Sequence, residues 1–228
     1  MTKQNIGELS SGLVTQVISL GPRCATAYNI RRYFNIRSAF PFDWWVTPEP
    51  GLIGVLRNPD VNFLYDPGEL SLTESSTSVR HKTLGIIFHH EFPRDWGHAS
   101  QPVRADFRDH VETPRERTRY LLNKLYALNR SDQRIVFIVE RHTSPLLFDV
   151  LSAIFDRALW ALASIDSIVD DSAFGWKQNP AMWDGELAKL GVNLDRAGHN
   201  PFVDRGAAHT DEDVGESALP HPDRAAAQ

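Results

Sequence analysis

Residues 17–34, VISLGPRCATAYNIRRYF, constrain the fold more than any other part of this 228-residue chain. Val17, Ile18, Ser19 and Leu20 form a short apolar run of the kind that makes a buried strand. Gly21 supplies a turn. Pro22 suits the first helical position, where its missing N–H is not needed. A helix to about Phe34 follows. Cys24, the only cysteine of the chain, then falls in the first helical turn. Free backbone N–H groups and the helix dipole favour an anion there, and a thiolate is one. The same position also suits a small buried hydrophobe, the usual state of a free cysteine.

Residues 84–90 (LGIIFHH) and 134–140 (RIVFIVE) read as two more buried strands, with a short fourth at 167–170. Helices are expected over 50–58, from the Thr113-Pro114-Arg115-Glu116 capping box to about Leu128, from Ser144-Pro145 to about Ala163, and over 183–190 with Gly191 as its C-cap. The aromatic and proline-rich stretch 35–51 reads as an ordered loop, and 60–80 as irregular. Strands alternate with helices, and the strands are continuous apolar runs. That pattern predicts an α/β fold with a mostly parallel central sheet and helices on both faces, a three-layer architecture. Ligands of such sheets sit beyond the C-terminal ends of the strands. Cys24, His90 and Arg141 each follow such an end.

Composition narrows the function classes. Apolar residues make up 42% of the chain, with six Trp and twelve Phe, enough for a real core. One cysteine excludes an internal disulfide and a cysteine-rich zinc site. There is no signal-peptide pattern and no apolar run near the roughly 20 residues that span a bilayer. A cytoplasmic protein with no membrane partner is expected. The net charge of −5 gives no reason to expect nucleic acid as a partner. Residues 205–228 carry five acids against two arginines and few large apolar groups. They read as a disordered acidic tail. With a flexible N-terminus at 1–12, the expected single domain is 13–204. No GxGxxG or Walker loop is present, and no cofactor is expected.

The sharpest constellation is a Cys–His pair. A cysteine nucleophile needs a base in hydrogen-bond reach, and the base needs an orienting partner. His89 and His90 end a predicted strand, and alternation points only one of them into a site. Asp43, in the aromatic string Pro41-Phe42-Asp43-Trp44-Trp45, is the orienting carboxylate, with Glu140 as the second candidate. Asp43 also reads as a loop-fixing partner of Arg31 or Arg32, because a buried carboxylate needs a cation or a donor. Phe42, Trp44, Trp45 and Trp96 would line an aromatic groove, and Arg31 joins Trp44, Trp45 and Trp96 as a substrate-binding candidate. His89, His90, Glu91, Asp95 and His98 cluster in sequence as metal donors. Their spacing matches no HExxH pattern, so no metal site is assigned.

The segments ISLGPRCATAYNIRR, SAFPFDWW and GIIFHHEFP resemble, in order and distance, the ISLG-x-x-C, PFDW and H-D-F motifs of a bacterial family described as papain-like cysteine peptidases. The resemblance covers about residues 16–140. It departs in the third motif, where His90-Glu91-Phe92 stands for His-Asp-Phe. The resemblance implies Cys24 as nucleophile, His90 as general base, and a papain-like α+β domain as the alternative fold. The expected activity is thiol-mediated acyl transfer, most simply hydrolysis of a peptide or amide bond. A peptide, amide or glycan-linked substrate is the expected partner. Two other classes compete: a non-catalytic glycan- or peptide-binding module using the aromatic groove, and a metal-dependent hydrolase.

Overall fold

The computed structural model describes residues 12–95, 101–141, 143–169 and 172–195. The expected tail at 205–228, and all but Gly12 of the expected flexible N-terminus, lie outside the described residues. The chain forms a mixed α/β fold. In order, the elements are β1 (Gln16–Ser19), α1 (Cys24–Phe34), β2 (Trp45–Val46), α2 (Glu49–Arg57), α3 (Val61–Leu64), β3 (Leu70–Leu72), β4 (Val79–His81) and β5 (Ile87–Phe88). Then come α4 (Glu112–Tyr126), β6 (Arg134–Glu140), α5 (Pro145–Ile154), β7 (Leu159–Ile165) and α6 (Pro180–Lys189), with single 3₁₀ segments at Phe107–His110 and Ser172–Lys177.

Two separate sheets replace the single central sheet expected from the strand pattern. β1, β6 and β7 pair in parallel in the order β1-β6-β7. β2, β5, β4 and β3 form an antiparallel sheet in that order. The reason lies in how each run is buried. In β6 every residue after Arg134 is buried, as a strand covered on both faces requires. Around β5, Ile86 and Phe88 are buried while Ile87 between them is only half-buried. That alternation belongs to a sheet with one face inward. β5 therefore pairs with β2 and β4 instead of joining β1.

The parallel sheet does have two buried faces. Val17, Val136, Ile138 and Ala163 pack with Ile30 of α1 and Trp183 of α6 on one side. Ile18, Phe137 and Trp160 pack with Leu147 and Leu151 of α5 on the other, in a core that runs on into the antiparallel sheet through Trp45 and Phe88. The cysteine-bearing helix α1 rests on β1 and β6 of the parallel sheet, not on an antiparallel sheet as in the papain-like alternative.

The helix expected from Ser144 to about Ala163 also divides. It ends at Ile154, and Leu159–Ile165 is a strand in seven-residue register with β6, Arg134 opposite Leu159 through Glu140 opposite Ile165. Pairing along the whole length of β6 outweighs local helix propensity in that stretch. No strand forms at 167–169. The capping box at Thr113 is not used: α4 begins at Glu112 after Val111, without a side-chain cap. The stretch 60–80, expected to be irregular, instead carries α3, β3 and the start of β4, and the expected loop 35–51 contains the two-residue strand β2. α2 matches the expected 50–58 helix to within a residue, and α6 ends at Lys189 with Leu190, not Gly191, as its C-cap and Gly191 following at φ +61°.

Candidate active site

The turn before α1 is stitched to its surroundings by backbone bonds. Leu20 N–H donates to Ile138 O at 2.8 Å, Glu140 N–H donates to Gly21 O at 3.0 Å, and Thr47 N–H donates to Pro22 O at 2.8 Å. Gly21 has φ +88°, a conformation glycine adopts without strain. Pro22 is not the first helical residue. It stands outside the helix, Arg23 is the extended N-cap, and Cys24 begins α1.

Cys24 is half-buried at this N-terminus. Burial pushes its thiol above the ordinary value. The backbone N–H groups of Ala25 and of Cys24 itself, and the Arg23 charge, pull the other way. The Glu140 carboxylate adds to the upward push. The helix end does favour a thiolate, as the sequence suggests, but desolvation outweighs it. Among the described residues, Cys24 has no histidine partner.

Glu140, the last residue of β6, is buried and fully engaged. It is ion-paired with Arg23, whose Nε also reaches Oε2 at 3.4 Å. It accepts from Thr26 Oγ1 at 3.0 Å and from Gln178 Nε2 at 3.3 Å. Gln178 in turn accepts from the Trp183 indole N–H at 2.9 Å. The carboxylate considered as an imidazole-orienting group thus ties α1, β6 and the segment before α6 together.

The ring of His90 meets Trp44 edge-on at 5.9 Å and His89 at 4.7 Å. Trp44 lies under the Arg31 guanidinium at 5.6 Å. Arg31 is two turns beyond Cys24 on α1, about 10 Å along the axis. β5 belongs to the antiparallel sheet, whereas Cys24 follows β1 of the parallel one. His89 bonds Ser78 Oγ through Nδ1 at 2.7 Å, and burial holds its pKa below the usual imidazole value.

Asp43 is buried and accepts the Phe40 N–H at 2.9 Å. Burial raises its pKa to about 6, against the pull of Arg31, the Phe40 N–H, Lys124 and Arg117. These neighbours match its reading as a loop-fixing group facing Arg31. Phe42 and Trp45 do not line a groove. Both are core residues, and the Trp45 indole N–H donates to Glu91 at 2.9 Å. Glu91 also accepts from Tyr65 OH at 3.3 Å, which explains a carboxylate after His90 as a brace for β2. Trp96 and His98 lie outside the described residues. Among the described residues, no three His, Cys, Asp or Glu side chains come together to hold a metal ion.

A cleft of about 150 Å³ opens beside this turn, at the C-terminal ends of β1 and β6. Leu20, Pro22, Val139 and Glu140 form one wall, and Thr47, Glu49, Leu52, Arg141 and Leu147 contribute to the others. Glu49 accepts the Ser144 N–H at 3.1 Å and the Ser144 hydroxyl, so a carboxylate from α2 covers the N-terminus of α5. Arg141 has φ +85°. Sequence reasoning reached Arg141 through its place after a strand. Thr47 and Glu49 carried no comparable signal, because only the fold brings the start of α2 to that rim. No family model matches the chain, and comparison with curated proteins and with solved structures finds no match.

Proposed function

We propose that this chain is a thiol-dependent acyl-transfer enzyme, most simply a hydrolase of a peptide or amide bond, with Cys24 as nucleophile. One observation carries the proposal. The single cysteine is the first residue of a helix at the C-terminal rim of a buried parallel sheet, two residues after Pro22, which lines a cleft. Backbone N–H groups there lower the cost of a thiolate and are placed to bind an oxyanion. Burial pushes the Cys24 thiol upward, so reaction calls for a base. His90 takes that part. Catalytic contacts of this kind often tighten only in the substrate complex. The likeness of the Cys24, Pro41–Trp44 and His90 segments to cysteine-peptidase motifs supports the same assignment.

The test is acylation by p-nitrophenyl acetate, followed by mass spectrometry of the Cys24 peptide. The folded chain is expected to acylate at least tenfold faster than the same chain in urea, and His90→Ala to remove most of that gain. A folded chain that reacts no faster than the unfolded one would sink the proposal. A non-catalytic binding module is the second reading, favoured by the upward push on the Cys24 thiol from burial and from Glu140.

A further inference from the structure

We propose that the cleft beside Pro22 is a binding site for a carboxylate that carries an apolar side chain, such as the C-terminal residue of a peptide or an N-acyl amino acid. The site deepens the acyl-transfer reading, and rests on it only for the reaction that follows binding. Its volume, about 150 Å³, equals that of an apolar protein cavity able to hold benzene. Leu20, Pro22, Leu52, Val139 and Leu147 supply apolar wall for a leucine- or phenylalanine-sized group.

Charge decides the other half of the ligand. Two carboxylates line the cleft, and both are already engaged. Glu140 is neutralised by Arg23, and Glu49 lies on the N-terminus of α5. The N-terminus of α2 opens on the same cleft at Pro48 and Glu49 and adds positive potential. The remaining charge is Arg141, exposed at the rim and, among the described residues, in no ion pair. A guanidinium binds a carboxylate through two parallel hydrogen bonds.

Two features of the cleft are hard to explain as packing. Arg141 holds φ +85°, where a residue with a Cβ is strained and glycine is not. Its backbone is pinned there by its N–H to Ile165 O at 2.9 Å and by the Ser164 hydroxyl to its carbonyl at 2.6 Å. Strain of this kind gathers at ligand sites. Thr47, only 1% exposed, lines the cleft, and its hydroxyl oxygen has no hydrogen-bond partner. A buried hydroxyl left unpaired is unfavourable until a ligand completes it.

The experiment is calorimetric titration of the full chain carrying Cys24→Ser. The probes are N-acetyl-L-phenylalanine, its uncharged amide, and N-acetylglycine. The first is expected to bind at least tenfold more tightly than either of the others. Arg141→Gly should erase the preference over the amide while the melting temperature stays at or above that of the parent. Thr47→Val should weaken binding several-fold. Equal binding of all three probes, binding of none, or a preference that survives Arg141→Gly would overturn the proposal. Because Cys24→Ser lacks the thiol, these outcomes are independent of the acylation test. Acylation can fail while the preference for N-acetyl-L-phenylalanine stands, and the reverse.

Discussion

Thr26 donates its hydroxyl to Glu140 across 3.0 Å, tying the first turn of α1 to the last residue of β6. Arg23 and Gln178 close on the same carboxylate from two other segments. Removing it strands a guanidinium, a hydroxyl and an amide at once. Glu140→Ala is expected to lower the free energy of unfolding by about 3 kcal/mol, between the loss of a charged hydrogen bond and that of a buried ion pair. Urea denaturation measures it. A change under 1 kcal/mol would show that the network is not the anchor of the turn.

The same carboxylate acts on the thiol. Glu140 pushes the Cys24 pKa upward, so Glu140→Gln should move the pH profile of iodoacetamide alkylation to lower pH. The parent chain should alkylate slowly at neutral pH and speed up only above the ordinary thiol value. An unmoved profile would remove Glu140 from the electrostatics of Cys24.

Asp43 predicts a pH dependence of stability. Its folded pKa of about 6 lies above the unfolded value of 3.8, so the folded chain holds the proton more tightly. Its contribution is fully present below about pH 4, is lost as pH rises through 6, and is then flat. Two units correspond to about 3 kcal/mol. Asp43→Asn should flatten that slope in chemical denaturation from pH 4 to 7. A slope retained in the variant would assign the effect to another group.

Trp45 separates core from groove. As a core residue that donates to Glu91, its replacement in Trp45→Phe should cost about 2 kcal/mol through lost volume and an orphaned acceptor. Thermal denaturation reads this directly. A Tm equal to the parent's would return Trp45 to the surface role suggested by its aromatic neighbourhood in sequence.

Much of the layout was legible along the chain. The strand-turn-helix around Gly21 and Cys24 is local, because apolar continuity, a glycine and a helical stripe lie within twenty residues. β6, α2, α4 and α6 were legible for the same reason. β5 was not placed correctly, since LGIIFHH reads alike as a two-face parallel strand or a one-face antiparallel one. Only its neighbours, Trp45 and Val79 in β2 and β4, decide between them. β7 was read as helix because the ladder to β6 lies outside its own sequence.

The sequence by itself determined the α/β class, the helix N-terminus under Cys24 and the place of Arg141 just after a strand. Each follows from periodicity and from the chemistry of a few adjacent residues. The tertiary structure alone decided which residues meet. It took Glu140 for Arg23, Thr26 and Gln178, set His90 against Trp44, and brought Thr47 and Glu49 to the rim of β6. Those contacts join residues tens of positions apart or more, and their geometry depends on sheet pairing and burial that no local window contains.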